Sequence, residues 1–186
     1  MTVSACPNCG RSIVELSRER LPDGREVHVS GLLWPDAIAR TIPPELEAAD
    51  PSVARDFLEA ALVYPKSAKA SAALSRRCLQ SVLATKGGAT KRDLADQIDE
   101  VLPKLPSQLA ENVDAIRQVG NFAAHPLKST STGQILEVED GEAEWLLDVL
   151  EQLFDYYYVA PARASALRTA LNAKLADAKK PPLKQP

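Results

Sequence analysis

Two hydrophobic periodicities divide this chain. Over residues 1–34 apolar and polar positions alternate, with Ile13 and Leu16 on one side of Leu21-Pro22-Asp23-Gly24 and Val27 and Val29 on the other. Asp-Gly between alternating runs predicts a hairpin, so residues 1–35 read as a small β appendage. Pro35, Pro43, Pro44 and Pro51 then punctuate a linker over 36–50 in which no long helix is expected. From Asp50 the spacing becomes helical. Asp50 serves as an N-cap with Pro51 at the first helical position, leading into Val53, Phe57, Ala60, Ala61 and Tyr64, and Pro65 closes that helix. A second helix over 67–86 stops at Gly87-Gly88. Thr90 and Asp93 resemble a capping box opening a third, which runs to about Leu102, and a fourth spans 107–125. Residues 128–140 read as a loop with a short strand. The strongest amphipathic pattern covers 142–158, with Trp145, Leu146, Val149, Leu150, Leu153, Phe154 and Tyr157 on one side. Pro161 interrupts it, and a terminal helix follows over 162–178. The expected architecture is mainly α: a bundle of about five to six helices over 51–160, a β-hairpin appendage before it and a C-terminal helix and tail over 161–186.

Composition adds bounds. A chain of 186 residues that is 45% apolar and 25% charged can bury a core of its own. No apolar run approaches the ~20 residues of a membrane span, and the first residues lack a basic region followed by an apolar stretch, so the expected location is the cytoplasm.

Net charge is −3, which excludes a uniformly basic nucleic-acid coat, but the sum conceals strong segregation. Residues 66–92 hold seven bases and no acid, residues 135–160 hold eight acids and no base, and residues 161–186 hold six bases and one acid. On the second helix Lys66, Lys69, Arg76 and Arg77 share an arc of roughly 100°, opposite Leu74, Cys78, Leu79, Val82 and Leu83. The four bases are either an anion-binding or nucleic-acid-binding stripe or the partners of acids such as Asp56, Glu59 and those of the helix over 142–155.

The fourth helix carries a second polar group. Asp114, Arg117, Asn121 and His125 share an arc of roughly 80°, while Leu109, Val113, Ile116, Val119 and Ala123 form the apolar side. An Arg, an Asn and a His on one edge could hold a phosphate and shuttle a proton. The competing reading is structural: Arg117 ion-paired to Asp114 or Glu111, and His125 capping the helix end before Pro126.

Two strings, Ala68-Lys69-Ala70-Ser71-Ala72-Ala73-Leu74-Ser75-Arg76-Arg77-Cys78-Leu79-Gln80 and Ile116-Arg117-Gln118-Val119-Gly120-Asn121-Phe122-Ala123-Ala124-His125-Pro126, resemble the domain-of-unknown-function family numbered forty-one forty-five. The similarity extends from about Ala54 to Tyr158. That family is placed among the HEPN-like helical bundles, which are linked to RNA cleavage, nucleotide binding and restriction or anti-phage systems. The resemblance implies His125 as general acid/base and Arg117 as phosphate holder of a metal-independent endoribonuclease, with Asn121 completing a composite site at a homodimer interface. The pattern departs from that of active members. Seven residues separate Arg117 from His125, and Gly120 stands directly before Asn121 where the arginine is usual. A non-catalytic module that dimerises and binds a protein partner or RNA is therefore the first expectation and a ribonuclease the alternative.

Cys6-Pro-Asn-Cys9-Gly10 has the form of half a zinc ribbon, two thiols on a tight turn. His28 across the predicted hairpin is a conceivable third ligand, no fourth stands out, and Cys78 reads as core. Related proteins carry two such turns before the helical domain. A structural zinc is expected either within one chain, shared between two chains, or lost with the second pair.

Overall fold

A computed structural model of the chain describes residues 1–19, 28–34, 40–124, 128–131, 134–135 and 137–184. These form two compact units, residues 1–39 and 40–186.

The first unit is an antiparallel sheet of three strands in the order β1-β2-β3: β1 Thr2–Ala5, β2 Ser12–Glu19 and β3 His28–Trp34. Strand β2 pairs Val14 with Val3 on one side and Leu16 with Gly31 on the other. The antiparallel β2–β3 pair is the hairpin expected from the alternation, although Asp23-Gly24 lies outside the described residues.

The second unit is helical. Its elements are α1 Pro44–Ala49, α2 Pro51–Val63, α3 Ala68–Thr85, α4 Leu94–Val101, α5 Ser107–Ala124, α6 Asp140–Phe154 and α7 Ala160–Asp177. The prolines at 43 and 44 begin a helix here instead of merely breaking one. Pro43 is the N-cap and Pro44 the first helical residue of α1, a position where the missing N–H has no intrahelical partner anyway. This short helix drives Leu46 into the core with no exposed surface. Ser67 caps α3 by accepting the Ala70 N–H at 3.2 Å. Thr90 does not cap α4; Asp93 takes the N-cap position, while Thr90 donates its N–H and its hydroxyl to Glu100 at 2.8 and 3.0 Å. Those two bonds hold the Glu100 carboxyl below the usual carboxylate range. A capping box between Glu139 and Glu142 opens α6, and it places acids where the helix dipole favours them.

Helix α3 is central, packing against α2, α4, α5 and α6. Of the predicted inner face, Cys78, Leu79, Val82 and Leu83 are fully buried and Leu74 is partly buried, and Ala72 joins them. The Gly87-Gly88 stop has a steric cause as well as a conformational one. Gly88 adopts φ +67°, and a Cβ on Gly87 would sit 2.8 Å from the Leu83 carbonyl oxygen and 3.0 Å from Val101 Cγ2. Helix α4, which ends at Val101, therefore packs against the end of α3 where residue 87 has no side chain.

From α6 the outcome departs from the sequence reading in two ways. Leu146, Val149, Leu150, Leu153 and Phe154 are fully buried, but Trp145 is 38% exposed and lies outside the core. Pro161 does not interrupt the helix. A π-helical turn over Asp155–Val159 joins α6 directly to α7, with the Ala160 N–H bonded to the Asp155 carbonyl. Bonding five residues back widens the helix where the proline would otherwise deprive it of a donor, so the chain continues without a break.

Candidate functional site

Bases of the stripe on and just before α3 have partners within the chain while remaining largely exposed. Arg77 Nε lies 3.3 Å from Asp56 Oδ2, and Lys69 Nζ lies 3.9 Å from Glu137 Oε2. Lys66 and Arg76 also interact with neighbouring groups. Just beyond the helix, Lys86 places its ammonium 4.8 Å from the centroid of the Tyr158 ring, a cation–π contact. Tyr158 in turn donates its hydroxyl to Asp50 Oδ2 at 3.4 Å, and burial raises its pKa to about 12.

On α5 the guanidinium of Arg117 is held by two carboxylates. One is Asp114, one turn back on the same helix, and the other is Asp99 of α4 at 3.3 Å. The first follows from the i, i+3 spacing; the second requires α4 to pack beside α5. With its side chain 26% exposed, Arg117 is already charge-matched, and a phosphate would have to compete with both acids. Asn121 lies within α5, but its side chain and all of His125 fall outside the described residues. Of the three proposed catalytic side chains, Arg117 alone lies among the described residues.

In the first unit, the Cys6–Cys9 segment is a tight turn. Cys6 donates its N–H to the Arg11 carbonyl and accepts the Gly10 N–H, both at 2.8 Å, with Gly10 at φ +71°. Backbone N–H groups of Cys9 and Asn8 bond the Cys6 thiol and lower its pKa, which favours the thiolate that a metal binds. His28 begins β3, with a side chain outside the described residues, and among the described residues no cluster of three His, Cys, Asp or Glu could hold a metal. Cys78 is the opposite of Cys6: fully buried, bonded through Sγ to the Val53 carbonyl at 3.7 Å, its pKa pushed up by burial and then by Asp56 and Asp50.

Two features escaped the sequence reading. Arg40, a linker residue, bonds Asp148 Oδ1 at 2.7 Å and Glu151 Oε2 at 3.0 Å, so part of the acidic face of α6 is neutralised from within. No local spacing could show a pairing between residues so far apart in the chain. The other is α7, none of whose residues is buried and whose Leu167 and Leu171 are 66% and 44% exposed. Its i, i+4 leucines were visible in the sequence; that the described residues leave Leu167 and Leu171 exposed was not.

A family model, DUF4145, described as a domain of unknown function, matches residues 58–173. The chain belongs to this family. The matched span holds both strings that carried the resemblance and continues through most of α7, so the DUF4145 region includes the exposed helix as well as the bundle. No curated protein and no solved structure matches the chain. None of the helices described is long and apolar enough to cross a membrane.

Proposed function

We propose that this DUF4145 chain is a non-catalytic, HEPN-like helical module that forms a homodimer and offers a surface to a protein partner or RNA. The resemblance of its two strings to restriction-associated and anti-phage proteins supplies the context. The observation that carries the reading is α7, an 18-residue helix with no buried residue and outward-facing leucines. Helices of this length gain most of their stability from packing an apolar face, so an uncovered one is built to be covered. The capture of Arg117 by Asp99 and Asp114 supports the same reading, because a phosphate holder needs a free fork. The mass in solution is expected to be twice the 20.1 kDa of one chain.

The competing chemistry has a direct test. RNA incubated in EDTA with the wild type, with His125→Ala or with Arg117→Ala is expected to remain intact in all three. Cleavage by the wild type that falls about a hundredfold or more in His125→Ala would overturn the non-catalytic reading and establish a ribonuclease using Arg117, Asn121 and His125.

For the first unit, the Cys6–Cys9 turn favours a zinc ion shared by two chains, each giving two thiolates. Elemental analysis is expected to find about half an equivalent of zinc per chain, lost in Cys6→Ser. A full equivalent, or none, would contradict sharing.

A further inference from the structure

The reading of a dimerising module leaves open which surface meets the second copy. We infer that α7 of one chain lies antiparallel along the exposed face of α6 of a second copy, and that the π-helical turn sets the alignment. The inference rests on the proposed dimer and adds its interface.

Three observations carry it. The first is charge. Within the continuous helix, residues 140–160 hold six acids and no base, and residues 161–177 hold three bases and one acid, so an acidic half adjoins the half that carries the bases. Two such helices laid antiparallel put each basic half beside the other's acidic half, whereas parallel pairing sets like against like.

The second is length. Helix α6 has 15 residues and α7 has 18, about 23 and 27 Å, so each arm nearly matches the face it would cover. With a two-fold axis at Tyr158, within the π turn, Leu171 and Trp145 lie thirteen residues to either side and face each other. Lys174 and Glu142 fall sixteen residues to either side. A symmetric pairing makes every such contact twice.

The third is alignment. On α6, the exposed residues that are not acidic form a stripe through Trp145 and Gln152, continued by Tyr156 at 37% exposure. Projected at about 100° per residue, an unbroken α-helix would carry Leu167, Leu171 and Leu175 roughly a quarter turn away from that stripe. A π turn inserts one residue's worth of rotation, about 100°, and brings the leucines into line with Trp145 and Tyr156. Arg163 and Lys174 then flank the stripe on one edge and Arg168 on the other, the arrangement of an amphipathic docking helix. The π turn thus carries the chain past Pro161 and also sets the two exposed faces on one side.

The full chain, in EDTA so that thiols bridged by metal play no part, is the sample for sedimentation equilibrium. The wild type is expected to dimerise, with a Kd that rises at about 0.5 M salt. Leu167→Asp/Leu171→Asp, Arg163→Glu/Arg168→Glu/Lys174→Glu and Trp145→Glu are each expected to raise the Kd at least about tenfold. Circular dichroism and Tm should hold steady in the α7 variants, since no residue of that helix is fully buried. If the leucine variant breaks the dimer and Trp145→Glu does not, two α7 helices pair with each other and this interface is wrong. A dimer indifferent to all three variants places the contact elsewhere and leaves the dimer reading intact. A wild type that stays monomeric at about 100 µM overturns both.

Discussion

Replacing Phe154 by alanine is expected to destabilise the helical unit by about 3–5 kcal/mol, the range for deleting a buried aromatic ring. The ring has no exposed surface and ends α6 at the point where the helix widens into the π turn. It meets the Phe57 ring edge-on at 5.0 Å and 89°, and the Tyr158 ring at 6.3 Å and 72°. Phe57 comes from α2, so the contact joins the first long helix to the last buried one. Alanine would leave a cavity that three elements would have to collapse together to fill, and none can move without disturbing its own contacts. Against a typical total of about 5–15 kcal/mol, the loss is a large fraction of the fold. Urea denaturation followed by circular dichroism should show the midpoint shifting at an unchanged m-value. Phe154→Leu should recover more than half of the loss. A cost under about 1 kcal/mol for Phe154→Ala would mean that the aromatic cluster is not packed as described.

The same region shows where sequence reasoning reached and where it stopped. The inner faces of α3 and α6 were legible because helical periodicity is local: Cys78, Leu79, Val82 and Leu83 fall on one side of any helix drawn through them. Gly87-Gly88 was legible as a stop for the same reason. Trp145 was placed on the wrong side because its hydrophobicity outweighed its position at the edge of the arc. Pro161 was read as a break because the loss of a donor is a local rule, whereas the five-residue bonding that accommodates it is a compensation the rule does not contain. Prolines 43 and 44 leave room for no long helix, as expected, yet they open the six-residue α1, since the residue type that ends a helix is also the one that starts it.

The candidate site follows the same division. The pairing of Arg117 with Asp114 follows from spacing, while Asp99 enters only after α4 and α5 meet. The charge segregation was countable from the sequence. Which charges face one another was not, because segregation along the chain does not fix separation in space. Arg40 illustrates the point: a single base in the linker reaches Asp148 and Glu151, more than a hundred residues away.

Arg77→Ala is expected to cost about 2–3 kcal/mol, more than Asp56→Ala, although the second substitution removes the more buried residue. The Asp56 side chain is 10% exposed and Arg77 is 68% exposed. Removing the base leaves a nearly buried carboxylate without its ion pair. Removing the acid leaves an arginine that rehydrates where it stands, and it spares the protein the cost of burying the carboxylate; a loss of about 1 kcal/mol or less is expected. The double variant should match Asp56→Ala, because once the carboxylate is gone the base has nothing to neutralise. A double-mutant cycle by urea unfolding should therefore give a coupling of about 2–3 kcal/mol, the full cost of Arg77→Ala. The contrast decides what the stripe on α3 is for. If Arg77→Ala costs under about 0.5 kcal/mol, Arg77 is not needed by the fold, and its charge is available to an external anion. If the acid proves the costlier loss, Asp56 holds α2 against α3 by itself, and the ion pair is a consequence of that packing.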